Sequence, residues 1–136
     1  DLIPHRQRPQ WSMNPQIPVY ISATKTRKGF SLPKEFASGT LLSKNTDLKF
    51  EAKAENLREY EVYWQVTNTG KEARDNSCLR GDFYNGQIIE GKRIRTEQTR
   101  YTGTHLVECY LVKNGTCYGK SEPFIVNISD KLMLPW

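Results

Sequence analysis

The residues most able to carry chemistry in this 136-residue chain are three cysteines and two histidines. Cys78, Cys109 and Cys117 are odd in number and form no C-x-x-C pair, a pattern that indicates neither a disulfide framework nor a zinc site. His5 and His105 have no cysteine or carboxylate partner at the spacing of metal ligands. The sequence therefore predicts no metal site and no cofactor.

A hairpin signal separates two of the cysteines. Asn114-Gly115 is a typical two-residue hairpin loop, and it would pair Cys117 with Val112. Cys109 lies at an odd position and Val112 at an even one, so the two thiols should point to opposite faces of the sheet. We expect the cysteines to stay reduced.

The usual enzymatic motifs are absent from the sequence. It contains no G-x-S-x-G elbow, no P-loop, no H-E-x-x-H and no D-x-D pair for two-metal nucleotidyl transfer. Carboxylates stand singly among basic residues, and no cysteine or histidine has a context that would pair a nucleophile with a base. These observations predict a chain that is not an enzyme.

The composition limits the class of protein. The chain carries 20 Lys and Arg against 15 Asp and Glu, for a formal net charge of +5. This excess suits an anionic partner, although ordinary solubility explains it equally well. No run of about 18 apolar residues and no charged-then-apolar leader occurs, so we expect neither a membrane span nor a signal peptide. A cytoplasmic domain is the expectation.

The clearest structural signal is the stretch from Tyr60 to Gly70. Every second residue from Tyr60 to Val66 is apolar, and this two-residue period is typical of a strand. Trp64 is the largest side chain on that face, so we expect it to be buried as a core anchor. Asn68-Thr69-Gly70 supplies turn residues that tolerate positive φ and end the strand.

The same period predicts six further strands. They cover residues 19–23, 48–52, 79–84, 92–99, 105–112 and a stretch from 116 that resumes at 124–128 after a break at Pro123. The 92–99 strand is polar on both faces, so we expect it to be short or at a sheet edge. Arg93 and Arg95 should form a cross-strand charge ladder with Glu51 and Lys53.

No segment shows helical periodicity, and residues 25–46 should form a long polar connection. Seven short strands with a tryptophan on the third predict an all-β domain, an immunoglobulin-like antiparallel β-sandwich of about seven strands. A barrel is the structural alternative. We divide the chain into an arm at 1–17 that becomes ordered where Trp11 finds a groove, the sandwich at 18–130 and an apolar tail at 131–136.

The two ends of such a sandwich differ in charge. The connections after the first, third and fifth strands emerge at one end and carry eight basic residues against four acidic ones, whereas the charges at the other end balance. A basic end built from loops suits a phosphate-bearing ligand, which backbone amides and arginine forks can hold. Chance clustering of solubilising charge is the alternative. The basic residues are Lys25, Arg27, Lys28, Lys34, Lys44, Lys71, Arg74 and Arg100.

One pattern runs through residues 8–11 (RPQW), 64–73 (WQVTNTGKEA), 79–83 (LRGDF), 97–105 (EQTRYTGTH) and 107–109 (VEC). Over nearly the whole chain, it resembles the adenylyl/guanylyl cyclase and SMODS C-terminal sensor domain. The resemblance implies a module that is attached to nucleotidyltransferases. These enzymes are of the bacterial oligonucleotide second-messenger class used in anti-phage signalling. The resemblance implies a non-catalytic sensor whose enzymatic partner is absent from this chain.

The matching positions fall on the basic end, which gives the candidate ligand-binding residues. We predict Arg80 as a forked phosphate donor, Arg100 and Lys28 as supporting charges, and His105 as an orienting residue. The alternative for Arg80 is a structural pair with Asp82 or Glu97. The full set of candidates is Lys28, Asn68, Thr69, Arg80, Arg100, Tyr101 and His105.

The leading prediction is a regulatory module that binds a nucleotide or oligonucleotide and acts on a nucleotidyltransferase domain in the same or a neighbouring polypeptide. The alternative is a protein-interaction module that docks on a fused or neighbouring enzyme, or captures a phage protein, through exposed strand edges. The apolar tail at 131–136 favours the alternative slightly. No membrane partner is expected.

Overall fold

The computed structural model describes residues 3–27 and 32–130, which form two β-sheets packed face to face. Its helical elements are a 3₁₀ turn at Leu57–Glu59 and helix α1 at Lys71–Asp75. The all-β prediction is confirmed, while the immunoglobulin-like strand arrangement stays a prediction. The strands are β1 (Ser12–Met13), β2 (Tyr20–Arg27), β3 (Lys34–Phe36), β4 (Leu41–Ser43), β5 (Thr46–Lys53), β6 (Glu61–Asn68), β7 (Phe83–Asn85), β8 (Gln87–Ile89), β9 (Lys92–Gln98), β10 (Gly103–Lys113), β11 (Thr116–Lys120) and β12 (Phe124–Ser129).

The first sheet is organised around β10, its longest strand. One edge of β10 pairs antiparallel with β6, and the other edge pairs with β12 and then with β11. Pro123 lies between β11 and β12, so the predicted break in the last strand is confirmed. The short strands β1, β4 and β7 complete this sheet.

The second sheet has the order β3-β2-β5-β9-β8 and is antiparallel throughout. Its strand β5 buries Leu48, Phe50 and Ala52, the residues that the alternation placed on one face. Within the described residues, neither helical element has the length and apolar character needed to cross a bilayer.

The core lies between the sheets. Trp64 on β6 is fully buried, with 0% of its surface exposed, which confirms its predicted role as an anchor. Phe50 of the second sheet meets Phe124 of the first with ring centroids 5.6 Å apart, and Phe36 contacts both rings. Edge-to-face aromatic contacts of this kind add to the free energy gained from burial.

Several short elements differ from the prediction. The expected polar connection over residues 25–46 contains the end of β2 as well as β3 and β4. The polar stretch after Gly70 forms α1, and the strand expected at 79–84 is reduced to β7. The short strands have three residues each and are held by pairing at sheet edges, so no apolar period marks them in the sequence.

Strand β9 does not lie at a sheet edge, because it pairs with β5 on one side and β8 on the other. Its register sets Arg95 opposite Phe50 and Glu97 opposite Leu48. Residues directly opposite each other share a face of the sheet, so Arg95 and Glu97 point into the space between the sheets.

The charge ladder predicted for β9 is therefore wrong. Glu51 and Lys53 form an ion pair with each other, 3.2 Å between Nζ and Oε2, instead of facing the β9 arginines. Arg93 donates from Nη1 to the carbonyl oxygen of Tyr60, 2.9 Å away and directly before β6 of the first sheet. The inward face of β9 is half-buried and thus contacts the residues of the first sheet.

The register of the β10–β11 hairpin pairs Cys117 with Val112, as predicted. Cys109 lies in the core between the sheets and Cys117 in a second cluster on the outer face, so their thiols point in opposite directions. Burial raises the pKa of Cys109 to about 12 and the pKa of Cys117 above its ordinary value. Both side chains are therefore neutral thiols at physiological pH.

The amino-terminal arm, residues 3–17, lies across the outer face of the first sheet. Trp11 packs against Tyr63, Phe83 and Tyr110, with ring centroids 4.9, 5.0 and 5.6 Å away. The arm then enters β1, which pairs in parallel with β11. Trp11 thus occupies a groove as expected, and the arm also contacts the sheet well beyond Trp11.

Polar contacts fix the arm on both sides of Trp11. Gln65 on β6 is fully buried, and its Nε2 donates to the carbonyl oxygens of Gln7 and Gly81, 2.8 and 3.0 Å away. Its Oε1 accepts a hydrogen bond from the Tyr110 hydroxyl at 2.8 Å. A buried amide is tolerated only when it is paired in this way, so the arm satisfies a polar group in the centre of the sheet.

The arm also supplies the counter-charge of a buried carboxylate. Glu108 on β10 has a side chain that is 1% exposed and accepts a hydrogen bond from the Arg6 guanidinium. Lys120 Nζ lies 3.7 Å from its second carboxylate oxygen, at the limit of an ion pair. Removing one partner of a buried pair is costly because the other charge is left in a poorly solvated site.

We expect Arg6→Met to lower the free energy of unfolding by about 3 kcal/mol, because Glu108 keeps only the more distant lysine. Arg8→Met is the matched control, since Arg8 is exposed on the same arm and its loss should change stability by less than about 0.5 kcal/mol. Urea denaturation of both variants measures the difference. Adding Glu108→Gln to Arg6→Met should recover part of the loss. Equal stability of the two arginine variants would contradict this role for Arg6.

Candidate functional site

A cleft of about 300 Å³ opens between the two sheets at one end of the sandwich. It lies where β6 and β9 end, which is the end that carries the excess of basic connections in the sequence. Its walls come from both sheets and from the segments 78–80 and 97–101. The volume is at the lower limit of the roughly 300–1,000 Å³ typical of small-molecule sites.

The floor of the cleft is apolar. It is formed by residues on the inward faces of β5, β6, β10 and β12, most of which also belong to the buried core between the sheets. Aliphatic and aromatic side chains favour burial of a flat, uncharged group over a fully hydrated ion. The floor residues are Leu48, Phe50, Val66, Val107, Val126 and Ile128.

The structure brings together five of the seven residues predicted from the sequence. Asn68, Arg80, Arg100, Tyr101 and His105 all line the cleft. The five come from three separate stretches of the chain, and folding places them around one opening.

The other two candidates are Thr69 and Lys28, of which only Thr69 is within the described residues. Thr69 lies next to Asn68 but outside the lining, and its hydroxyl donates to the carbonyl oxygen of Thr104. Lys28 lies outside the described residues. Thr69 therefore has a structural contact that ties the end of β6 to β10.

Asn68 hydrogen-bonds to the cleft wall at Cys78 and Arg80. Its Nδ2 donates to the carbonyl oxygen of Cys78 at 2.6 Å, and its Oδ1 accepts from the backbone N–H of Arg80. The backbone N–H of Asn68 donates to the Arg80 carbonyl at 3.1 Å. Because the side-chain amide is engaged at both ends, Asn68 shapes the segment 78–80.

The Arg80 guanidinium faces the Glu97 carboxylate. Nη1 and Nη2 lie 2.7 and 3.3 Å from the two oxygens of Glu97, and Nε donates to the Tyr84 hydroxyl at 3.1 Å. Burial alone would lower the pKa of Arg80, but the hydrogen bonds that it donates to Glu97 and Tyr84 outweigh burial and raise the pKa above its ordinary value. The structural pair with Glu97 is thus present, and a direct contact of Arg80 with a ligand stays a proposal.

Glu97 and Tyr84 belong to this site and were not predicted as site residues. Glu97 also pairs with Arg95, whose Nη2 lies 2.7 Å from Oε2. The guanidinium groups of Arg80 and Arg95 both lie over the Tyr84 ring. Their Cζ atoms are 4.9 and 4.4 Å from the ring centroid. Arg93, Arg95 and Glu97 occupy alternate positions, so the sequence places them on one face of the strand. Only the register with β5 shows that this face points inward.

His105 is the buried polar group beside the floor. Its Nε2 lies 3.0 Å from the Tyr101 carbonyl oxygen, so this nitrogen carries the proton and Nδ1 remains an acceptor in the neutral ring. Burial lowers the pKa of His105 below its ordinary value, and Arg80 adds to this effect, while the bond to Tyr101 and the Glu97 charge act in the opposite direction. His105 is therefore neutral at physiological pH.

The mouth of the cleft is formed by residues 98–101. Arg100 is exposed, and Tyr101 is half-buried with its hydroxyl 3.1 Å from the Cys78 sulfur. Thr99 is buried and fixes the loop: its Oγ1 donates to the Ser43 carbonyl at 2.8 Å and accepts from the Thr46 N–H at 2.8 Å. Arg100 thus offers a charge at the mouth on a loop that is held in place.

Gly70 and Gly103 lie side by side beneath this loop. A Cβ on Gly103 would be 2.5 Å from the Thr69 carbonyl oxygen, and one on Gly70 would be 2.8 Å from that of Thr102. Both residues have positive φ, at 112° and 124°. Glycine at these positions lets the ends of β6 and β10 approach each other, which adds close packing to the turn role expected from the sequence.

The chemistry available in the cleft is that of binding. It combines an apolar floor with a neutral imidazole, a guanidinium–carboxylate pair and an exposed arginine. Among residues 3–27 and 32–130, no group of three or more histidine, cysteine, aspartate or glutamate side chains could hold a metal ion.

The burial of His105 predicts a pH dependence of stability. Its folded-state pKa is depressed, so the unfolded chain binds more protons as the pH falls through the unfolded value of about 6.5. We expect the free energy of unfolding to fall below that pH and to change less with pH in His105→Gln. Urea denaturation between pH 5 and pH 8 measures this, with His5→Gln as the control for the other histidine. Parallel pH profiles for wild type and His105→Gln would be inconsistent with a depressed pKa.

Comparison with known proteins shows which family the sequence belongs to. The sequence matches the model of the Adenylyl/Guanylyl and SMODS C-terminal sensor domain over residues 2–129. It is also similar to a cytidylate cyclase from Staphylococcus aureus, with 36% identity over 75 residues that make up 54% of this chain and 17% of the cyclase. The chain thus matches only a small part of that curated relative. Because the family model covers nearly all of the sequence, the chain belongs to the Adenylyl/Guanylyl and SMODS C-terminal sensor domain family.

Proposed function

We propose that this sensor domain binds a nucleotide or oligonucleotide in the cleft between its sheets. Binding regulates a nucleotidyltransferase domain in the same or a neighbouring polypeptide, in the cytoplasm of a bacterium that uses the system against phage. The domain itself is non-catalytic. The observation that carries the proposal is the cleft, in which five candidate residues from three segments surround one opening.

The composition of the cleft supports a nucleotide over a simple ion. A nucleotide combines a flat base, which suits the apolar floor, with a phosphate, which suits an arginine at the mouth. Arg100 is exposed there and can contact phosphate while it keeps part of its hydration. An inorganic anion would make no use of Val107, Val126 and Ile128 on the floor.

The family assignment supports the link to an enzyme. The matching family is described as a C-terminal sensor domain, and the similar cytidylate cyclase extends far beyond the aligned region, which is 17% of its length. A sensor attached to a cyclase has a nucleotide substrate, product or competing nucleotide within reach. The proposed ligand class fits that context.

Calorimetric titration of nucleoside monophosphates, cyclic nucleotides and short oligonucleotides tests the proposal. We expect at least one to bind, to raise the melting temperature and to bind more weakly as salt rises. Arg100→Gln should weaken that binding about two- to fivefold, as expected for loss of one exposed charge contact of up to about 1 kcal/mol.

The matched control is Arg58→Gln, because Arg58 is an exposed arginine on the 3₁₀ turn at the opposite end of the sandwich. It lowers the net charge equally and should leave the affinity unchanged. An equal loss in both variants would mean that the ligand responds to overall charge and not to this cleft. Failure of every nucleotide to bind would remove the proposed function.

A protein-interaction module is the second candidate, and one observation favours it. Ile88 and Ile89 on β8 are 68% and 44% exposed. Within the described residues, β8 pairs only with β9, so its other edge can accept a strand from a partner. Docking through this edge would serve the same regulatory link to an enzyme.

The partner for testing this second candidate is the nucleotidyltransferase part of a cytidylate cyclase similar to the relative above. Ile88→Lys should abolish association with it. Association of the wild-type domain should change little with salt. Tyr20→Lys is the control, since Tyr20 is also 68% exposed and lies on the same sheet. Size-exclusion chromatography of the mixed proteins measures the outcome. Association that survives Ile88→Lys would exclude the β8 edge.

A further inference from the structure

We propose that the ligand enters the cleft with its base and keeps its phosphate outside, so that one nucleoside fills the site and Arg80 acts as part of the wall. This inference rests on the proposed function and specifies how the ligand is held. It also replaces the earlier expectation of Arg80 as the phosphate donor. The argument combines the charge inside the cleft, the floor, the histidine and the volume.

The charge inside the cleft is already paired. Three of the five N–H donors of Arg80 contact Glu97 and Tyr84. A phosphate that approached Arg80 would meet the Glu97 carboxylate beside it and would have to displace that group. Arg95, the second partner of Glu97, lines the neighbouring groove and not this cleft.

The floor disfavours a phosphate for a second reason. An ionised group transferred onto the aliphatic side chains of Val107, Val126 and Ile128 would lose hydration without gaining hydrogen bonds. A nucleobase has two apolar faces and places its polar atoms at its edge. The base can therefore cover the floor while its edge reaches the polar wall.

The polar wall offers complementary hydrogen-bonding groups to a base edge. His105 donates from Nε2 to the Tyr101 carbonyl, which leaves Nδ1 as an acceptor for an N–H group. Glu97 presents carboxylate oxygens, and Arg80 retains two N–H donors beyond those in the pair. Neutral His105 supplies no charge for a phosphate.

The volume limits how much of the ligand enters. A cleft of about 300 Å³ is at the lower limit of small-molecule sites, so one nucleoside fits and a second nucleotide must remain outside. Arg100 is exposed at the mouth, where a phosphate attached to the bound nucleoside would emerge. The domain would therefore bind a single base of an oligonucleotide in the cleft.

The experiment compares cytidine, uridine, adenosine and guanosine with their 5′-monophosphates and with inorganic phosphate, by calorimetry on the full chain at low and high salt. We expect at least one nucleoside to bind within about fivefold of its monophosphate, because the base supplies most of the contacts, and its affinity to be insensitive to salt. Arg100→Gln should bring the affinity of the monophosphate down to that of the nucleoside. Inorganic phosphate should not compete with the nucleoside.

A volume-filling pair of variants tests the location. Val107 and Val112 are both buried on β10, but Val107 lines the cleft and Val112 lies in the cluster beneath the arm. Val107→Phe should abolish nucleoside binding and Val112→Phe should not, with melts showing that both fold. Val126→Met, a smaller addition to the same floor, is the second variant if Val107→Phe does not fold.

The outcomes separate this inference from the function on which it rests. Binding of monophosphates and inorganic phosphate without any nucleoside binding would overturn the orientation and leave nucleotide sensing intact. Nucleoside binding that both phenylalanine variants preserve would place the base elsewhere and overturn the inference. If no nucleoside, nucleotide or phosphate binds, the proposed function and this inference fall together.

Discussion

The structure depends on the burial of the first sheet on both of its faces. Strand β10 is paired along both edges, and its inward side chains join the core while its outward ones lie beneath the arm. A sheet with both faces covered holds its polar groups away from water, and Trp64 Nε1, Thr67 Oγ1 and Glu108 Oε2 are buried there without a hydrogen bond. Gln65 and Glu108 are tied to the arm through the Gln7 carbonyl and the Arg6 guanidinium. The arm thus supplies hydrogen-bond partners to buried polar groups of the sandwich.

The cleft exists because the contact between the sheets changes character along β9. Near Trp64 the sheets are joined by close apolar packing, but β9 presents charged residues inward. Arg95, Glu97 and Arg80 meet around the Tyr84 ring and hold the sheets together by hydrogen bonds and ion pairs. Such a network keeps the walls in place without filling the space between them, so an accessible volume remains beside a rigid support.

The sequence predicted the elements whose own residues determine them. Alternation identified β5, β6 and β10, the Asn114-Gly115 hairpin set the register of Cys117, and Trp64 was recognised as a core residue. Strands β3 and β4 were missed because three-residue edge strands depend on distant partners. The helix α1 was missed because five residues are too few to show a period. The inward direction of Arg95 depends on the register with β5, which no local pattern specifies.

The same distinction applies to the candidate site. Chain direction and charge indicated the end of the sandwich at which the cleft lies, and five candidates line that cleft. Arg80 pairs with Glu97, one of the two partners named as its structural alternative, and its contact with a phosphate stays a prediction. The apolar floor was not predicted as a surface at all, since in sequence its residues look the same as the rest of the core.

Gly81 joins two parts of the molecule that have been described separately. A Cβ at this position would lie 2.2 Å from the His5 carbonyl oxygen, so the arm rests directly on the peptide that follows Arg80. His5 donates from Nε2 to the Asn68 carbonyl at 2.7 Å. The side chain of the same Asn68 donates to the Cys78 carbonyl in the cleft wall. The arm thus contacts the peptide directly after the Arg80 part of the cleft wall. Mechanically, tension on the arm would act on the cleft wall itself.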